Sequence, residues 1–402
     1  MKILQLTNRV PFPLNDGGNI GVHYYTAGYL EAGISLSMLA MNTSRHYVDT
    51  KLLPELYGQL DHFVTVDVNN DIKPIDALKS LVRGTSYNIV RFISKEVENA
   101  LIRLLQQEKF DIVQMEGLYL TPYVHVIRQH SQAKIAIRQH NIEYRIWERL
   151  AQQEPNFLKR KYLQLLAQRL RQFELQHIND YDLVLAISKQ DQQLYQELGC
   201  QVPVYLHPFG VDINTFPYSP GNTDPISLYH IGAMDWLPNQ ESVNWLLEKV
   251  MPLIRQQLPN TRLYLAGRNM PEYYFQHTWP NVEVLGEVPD AQAFERDKTL
   301  LLVPLQSGGG VRIKIFQGMA MGKCIITTSI GVEGIEARDE EHILIADTPE
   351  NFAEKIISVS QQPERILQIG KAARQLIHGQ YDRKQLIADL IKRYRELLVN
   401  NK

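Results

Sequence analysis

Hydrophobic positions along this chain alternate between two arrangements. Short unbroken runs of Val, Ile and Leu predict strands at 2–7, 34–41, 62–66, 111–115, 134–139, 182–187 and 203–206. Further runs predict strands at 226–231, 262–267, 282–285, 299–303, 324–327 and 343–346. Between them, apolar residues recur at helical spacing, which predicts helices at 20–32, 95–107, 157–178, 190–198, 240–256, 311–321, 350–360 and 363–377. An unbroken apolar strand is covered on both faces, and such strands separated by helices pair in parallel. The pattern predicts an α/β protein built on doubly wound, Rossmann-like sheets.

The alternation breaks once. His207-Pro208-Phe209-Gly210 closes one series, residues 218–225 form the clearest turn-rich stretch, and a new series opens at Ile226. Two domains of similar size are expected, 1–208 and 209–382, facing each other across a cleft. A last helix at about 383–399, in the segment 383–402, is expected to pack back on the first domain. The 402 residues suit two or three domains at roughly 100–200 residues each.

Composition narrows the function. A net charge of −2 argues against a nucleic-acid partner. The two cysteines, Cys200 and Cys324, are far apart, without zinc spacing, and fit a reducing compartment. No apolar stretch reaches the ~18 residues of a spanning helix, and Met1–Thr7 reads as a strand rather than a leader, so a cytoplasmic setting is expected.

The candidate chemistry gathers where strands end. Strand 299–303 stops at Pro304, and Ser307-Gly308-Gly309-Gly310-Val311 leads into a helical pattern with Arg312 and Lys314 in its first turn. Free backbone N–H groups, the positive end of a helix dipole and two cations make a cradle for phosphate or diphosphate oxygens. In an ideal helix Arg312 points away from Lys314, so both reach one ligand only from a frayed first turn. At the first strand's end, Gly17-Gly18 lets backbone approach a ligand, although the G-x-G-x-x-G dinucleotide spacing is absent. His140 directly follows strand 134–139 and can donate a hydrogen bond to a sugar hydroxyl or phosphate; Asn141 can cap the next helix. Gly232 opens the loop Gly232–Asn239 after strand 226–231, where Asn239 can be a helix cap and Trp236 either packing or a ligand platform. Gly267-Arg268 and Gly286-Glu287-Val288 follow the next two strands and can line a base pocket. Helix 157–178 carries Lys159, Arg160, Lys161, Arg169 and Arg171, a basic face open to solvent or to anionic lipid.

Taken in order, these pieces resemble glycosyltransferase family 4, retaining enzymes of the GT-B fold. The resemblance runs over nearly the whole chain. It rests on Pro11-Phe12-Pro13 with Gly17-Gly18, His140-Asn141, Ala186-Ile187-Ser188, Gly210-Val211-Asp212, and the glycine loop leading to Gly318-Met319-Ala320. The subgroup most similar carries G-x-M-x-W-x-P-N and G-G-G-x-R-x-K, as at Gly232–Asn239 and Gly308–Lys314.

The resemblance implies a hexosyl transfer from a nucleotide-diphosphate sugar, UDP- or GDP-linked, to a glycan or lipid-linked acceptor in cell-surface or exported polysaccharide synthesis. It implies that Ser307–Val311 hold the diphosphate, that Arg312 and Lys314 balance its charge, and that His140 contacts the transferred sugar or phosphate. Gln317 stands where the family has the second glutamate of its E-x7-E pair, on the ribose, and Gly309 stands at the first. The usual Arg/Lys pair after Gly232 is also replaced, by Ala233-Met234-Asp235. No cofactor or metal is implied, and no Asp-x-Asp triplet stands beside the glycine loop. Contact with the inner membrane face is compatible with the basic helix. Two other functions fit the same residues: a nucleotide-sugar epimerase of similar fold, and a sugar-nucleotide-binding subunit without transferase activity.

Overall fold

Strand Lys2–Thr7 (β1) buries its last five residues, and parallel neighbours cover it on both sides. The same double burial recurs in Ser35–Thr43 (β2) and Ile112–Glu116 (β4), where it takes in polar side chains such as Ser37 and Gln114 along with the apolar ones. The computed structural model describes all residues except 15–16, 74–79, 81–83, 223–225, 309 and 400–402. Two units form: Met1–Phe209 with Lys384–Lys402, and Gly210–Arg383.

In the first unit, His62–Val68 (β3), Lys134–Gln139 (β5), Leu183–Ala186 (β6) and Val204–Leu206 (β7) complete a parallel sheet of order β3-β2-β1-β4-β5-β6-β7. Chain order reverses between β1 and β4, which opens a crevice at their carboxyl ends. The terminal helix Arg383–Val399 belongs here: Ile387, Leu390, Ile391 and Tyr394 complete a core containing Ile3, Tyr25, Tyr29 and Met38. Helix Gly17–Glu31 meets it so closely that a Cβ at Gly28 would lie 2.7 Å from Ile387 Cγ1.

The second unit repeats the plan. Ser227–Ile231 (β8), Arg262–Ala266 (β9), Val282–Gly286 (β10), Leu300–Val303 (β11), Cys324–Thr327 (β12) and Leu344–Ile345 (β13) form a sheet of order β10-β9-β8-β11-β12-β13. The reversal falls between β8 and β11. Here the helical boundaries depart from the sequence pattern. The helix expected from 240 begins at Leu237, because Pro238 suits a first turn, and it continues through a wide turn at Leu246–Val250 into Met251–Gln257. The helix expected from 311 begins at Ile313, leaving Arg312 outside it at the cap position, with non-helical backbone angles. Strand 343–346 shrinks to two residues.

Candidate functional site

The second unit's switch point is built from four loops that touch. Gly267 lies at φ +157°, and a Cβ there would fall 1.8 Å from the Gly232 carbonyl oxygen, so the loops after β8 and β9 meet backbone to backbone. Gly232 N donates to Ala266 O (3.1 Å), Met234 N to Arg268 O (2.9 Å) and Gly267 N to Gly286 O (2.7 Å), which ties the β8, β9 and β10 loops into one floor.

The glycine loop after β11 leans on this floor. Gly308 (φ +101°) packs against Trp236 and Pro238: a Cβ there would lie 3.0 Å from the indole and 3.5 Å from the proline ring. Gly310 also takes a left-handed φ, +77°, and Gly309 lies outside the described residues. Because Arg312 precedes the helix Ile313–Met321, it is not bound by the helical divergence that the sequence pattern implied. Its guanidinium is buried, bonded to Gly310 O and lies 5.8 Å from the Trp236 ring centre. Lys314, one residue inside the helix, sends Nζ to Asn239 Oδ1 at 2.9 Å. Asn239 therefore is not the helix cap; Trp236 takes that place, and the Asn239 amide instead bridges Ala233 O (2.8 Å) and the lysine.

This corner sets two cations close together. Burial first, then the Arg312 guanidinium, pull the Lys314 ammonium down to about 7, with Glu295 opposing. A desolvated ammonium bonded to a neutral amide, beside a second cation, gains strongly from an anion. Two carboxylates escaped the sequence reading. Ser307 Oγ donates to Glu241 Oε2 at 2.5 Å, which brings Glu241 from the helix after β8 against the glycine loop. Glu295 sits deeper, its carboxyl pushed up to about 7 by burial against the pull of Lys323 and Lys314. Glu241 follows Asn239 by two residues, and that proximity to a strand-end loop was its only sequence signal.

A pocket of about 430 Å³ opens beside this corner, lined by Phe216, Asp290, Ala291, Gln292, Glu295 and Gln317. Gln317 thus reaches a cavity, and Val288 stands two residues ahead of Asp290 at its edge. Arg268 lies 3.7 Å from Asp235, both partly exposed. Val311 is half-buried, between Gly310 and Arg312.

In the first unit, His140 ends β5 and its Nε2 lies 2.9 Å from Glu116 Oε2. The same oxygen accepts from Arg138 Nη1 (3.1 Å), while Gln5 (3.1 Å) and Gln114 (2.5 Å) donate to Oε1. Burial alone would raise this carboxyl, but Arg138 and His140 outweigh it and hold Glu116 at about 2. His140 is lowered, by burial and by Arg138 against the Glu116 hydrogen bond, so its imidazole is neutral at neutral pH. With Nε2–H given to Glu116, Nδ1 is left as an acceptor. Asn141 does not cap the helix Glu143–Gln153; the cap position falls on Ile142. Gly17 and Gly18 form the first turn of the helix after β1, at the same switch point. Glu116 and Arg138 are the residues missed here. Their signal was a charge at the end of, or inside, a strand otherwise buried on both faces.

Comparison with known proteins bears on the fold that carries this site. A Klebsiella pneumoniae relative, described as an uncharacterized 44.6 kDa protein in cps region, is 22% identical over 409 residues, covering 97% of this chain and 99% of that one. The sucrose-phosphate synthase of Thermosynechococcus elongatus superposes with a TM-score of 0.70 at 15% identity, over 100% of both chains. Anabaena HepE, solved with UDP and glucose, superposes with a TM-score of 0.66 at 13% identity, over 98% of this chain and 100% of its own. Among the described residues no helix is long and apolar enough to cross a membrane. Residues 225–362 match the family described as Glycosyl transferases group 1, so the chain has the two-unit GT-B fold and its second unit carries that family's sequence pattern.

Proposed function

We propose that this protein is a retaining glycosyltransferase. It moves a hexosyl group from a nucleotide-diphosphate sugar to a glycan or lipid-linked acceptor, in the synthesis of a surface or exported polysaccharide. The observation that carries the reading is the cationic corner at the β8/β11 switch point, where Arg312, Lys314 and the glycine loop converge beside the Gln317 pocket. The diphosphate sits against Lys314, Arg312 and the Ser307–Val311 backbone, and Gln317 bonds the ribose as both donor and acceptor.

The leaving group of the reaction is the nucleotide diphosphate. Charge grows on its bridging oxygen as the glycosidic bond breaks, and Lys314, Arg312 and the N-terminus of Ile313–Met321 stabilise it. His140, with its tautomer set by Glu116, accepts a hydrogen bond from the transferred sugar. The donor is a substrate, UDP- or GDP-linked, and no separate cofactor is assigned. The cps-region setting of the Klebsiella relative and the UDP and glucose found with HepE support polysaccharide synthesis and a nucleotide-sugar donor.

Incubation with a panel of UDP-, GDP- and ADP-sugars, with and without sugar or lipid-linked acceptors, tests the reading. Acceptor-dependent nucleotide release with an anomerically retained product supports it. Formation of a sugar epimer, or binding without turnover across the panel, overturns it.

A further inference from the structure

The helices that follow His140 form a hairpin, Glu143–Gln153 and Phe157–Gln176, joined through Glu154-Pro155-Asn156. Its tip is apolar on the outside. Phe157 is 63% exposed, Leu158 77% and Leu150 47%, the first two adjacent in sequence at the start of the second helix. Two neighbouring large apolar side chains at a helix start usually turn one of the pair inward; here Asn156 caps the helix through Lys159 N (3.0 Å) and both stay out.

Cations surround the apolar tip. Between Arg145 and Lys161 stand five cations, Arg145, Arg149, Lys159, Arg160 and Lys161, against two carboxylates, Glu148 and Glu154, in a chain whose net charge is −2. Lys161 Nζ lies 5.8 Å from the Phe157 ring centre and Lys159 reaches Glu154 at 2.5 Å, so the charge is held at the apolar residues themselves. Exposed Phe and Leu ringed by Lys and Arg on one helix suit an interface that is apolar below and anionic above.

We propose that this hairpin tip docks the protein on an anionic lipid bilayer, with Phe157 and Leu158 entering the headgroup–acyl boundary and Lys159, Arg160 and Lys161 lying among the phosphates. The first helix begins three residues after His140 and its 11 residues span about 16 Å, so the membrane surface lies within about that distance of the β5 end. The inference rests on the proposed transfer to a lipid-linked acceptor, since an acceptor on a lipid carrier is presented at that surface. Its test reads membrane binding rather than turnover, so either reading can fail alone.

The test is flotation of the full chain with vesicles of phosphatidylcholine alone and of phosphatidylcholine mixed with phosphatidylglycerol, at low and high salt. Binding is expected only to the mixed vesicles and weakens with salt. The double variant Phe157→Ser with Leu158→Ser loses about tenfold or more in partitioning, as does Lys159→Glu with Lys161→Glu, while circular dichroism and UDP binding stay unchanged. Equal binding to both vesicle types, no binding to either, self-association through the tip in place of vesicle binding, or variants that float like the parent chain would each overturn the proposal.

Discussion

Lys314 Nζ and Asn239 Oδ1 meet at 2.9 Å, joining the helix after β11 to the loop after β8 across the switch point. Gly232 lies directly against the pair, where a Cβ would come within 2.5 Å of Nζ and 2.7 Å of the Asn239 amide nitrogen. A lysine held this way has its charge fixed in direction before any ligand arrives.

Removing that charge isolates its contribution. Lys314→Met is expected to weaken UDP binding by about 10- to 100-fold, the loss of one charge-assisted hydrogen bond in a desolvated site. Asn239→Ala costs less, since the ammonium stays. Titration calorimetry with UDP reads both, and an affinity within twofold of the parent for Lys314→Met removes the diphosphate assignment.

The same lysine makes donor binding depend on pH. In the free protein the ammonium is half lost near pH 7. A bound diphosphate favours the charged form, so the pKa rises on binding. Below that pH the proton is already in place and affinity is flat. Above it each binding event takes up a proton, and affinity falls by up to tenfold per pH unit. A nucleotide sugar, whose diphosphate is a diester without a titration in this range, is the suitable ligand. Calorimetry in buffers of different ionisation enthalpy should register the uptake at pH 8 and not at pH 5.5.

Glu116 holds the first unit's polar centre. Its carboxyl moves from an ordinary 4.5 to about 2 on folding, so its contribution to stability is complete above the unfolded value and is lost as pH falls from 4.5 towards 2. Glu116→Ala strands the buried Arg138 guanidinium and should cost about 3–5 kcal/mol in urea unfolding. Glu116→Gln keeps the shape but loosens the His140 tautomer. A fall in kcat with little change in donor KM is the expected sign.

Glu241 is a carboxylate at the glycine loop that comes from the helix after β8. If it faces the transferred sugar, Glu241→Gln preserves the bond from Ser307, leaves UDP affinity within about twofold, and lowers kcat about 100-fold. Loss of UDP binding with kcat unchanged would make it a structural brace for the loop.

Gly267→Ala tests the floor itself. Its Cβ would fall 1.8 Å from Gly232 O at a φ of +157°, so the β8 and β9 loops must part. UDP binding should be abolished and the unfolding midpoint lowered. Gly58→Ala, where no atom lies within 4 Å, serves as the neutral control.

What could be read from the sequence follows from how strands bury. Runs such as Leu300–Val303 announced a parallel sheet, because only a strand covered on both faces is apolar at every position. The glycine loop, Lys314 and the His140 strand end were legible as strand-end features. Arg312 was legible as a partner of Lys314 only on the condition of a frayed first turn, and the helix start at Ile313 leaves it outside the helix. Glu116 and Arg138 were hidden, since each reads alone as a break in a hydrophobic pattern. Only the register that sets Glu116 opposite Arg138 across β4 and β5 turns two breaks into a pair. Asn239 was misread as a cap for a similar reason: its partner lies 75 residues away.

The return of Arg383–Val399 to the first unit has a consequence for how the chain is made. Tyr394 OH donates to Gln114 Oε1 at 2.7 Å, beside the Gln114–Glu116 contact, and Ile387 fills the space against Gly28. During synthesis the first 209 residues leave the ribosome with that groove unfilled, and 174 residues of the second unit follow before its filling arrives. The unit holding His140 therefore closes its core last, although it is translated first. A nascent chain stopped short of Arg383 leaves Gly28, Tyr29 and Gln114 without the Ile387 and Tyr394 that cover them, so it displays an unfinished first unit to quality control.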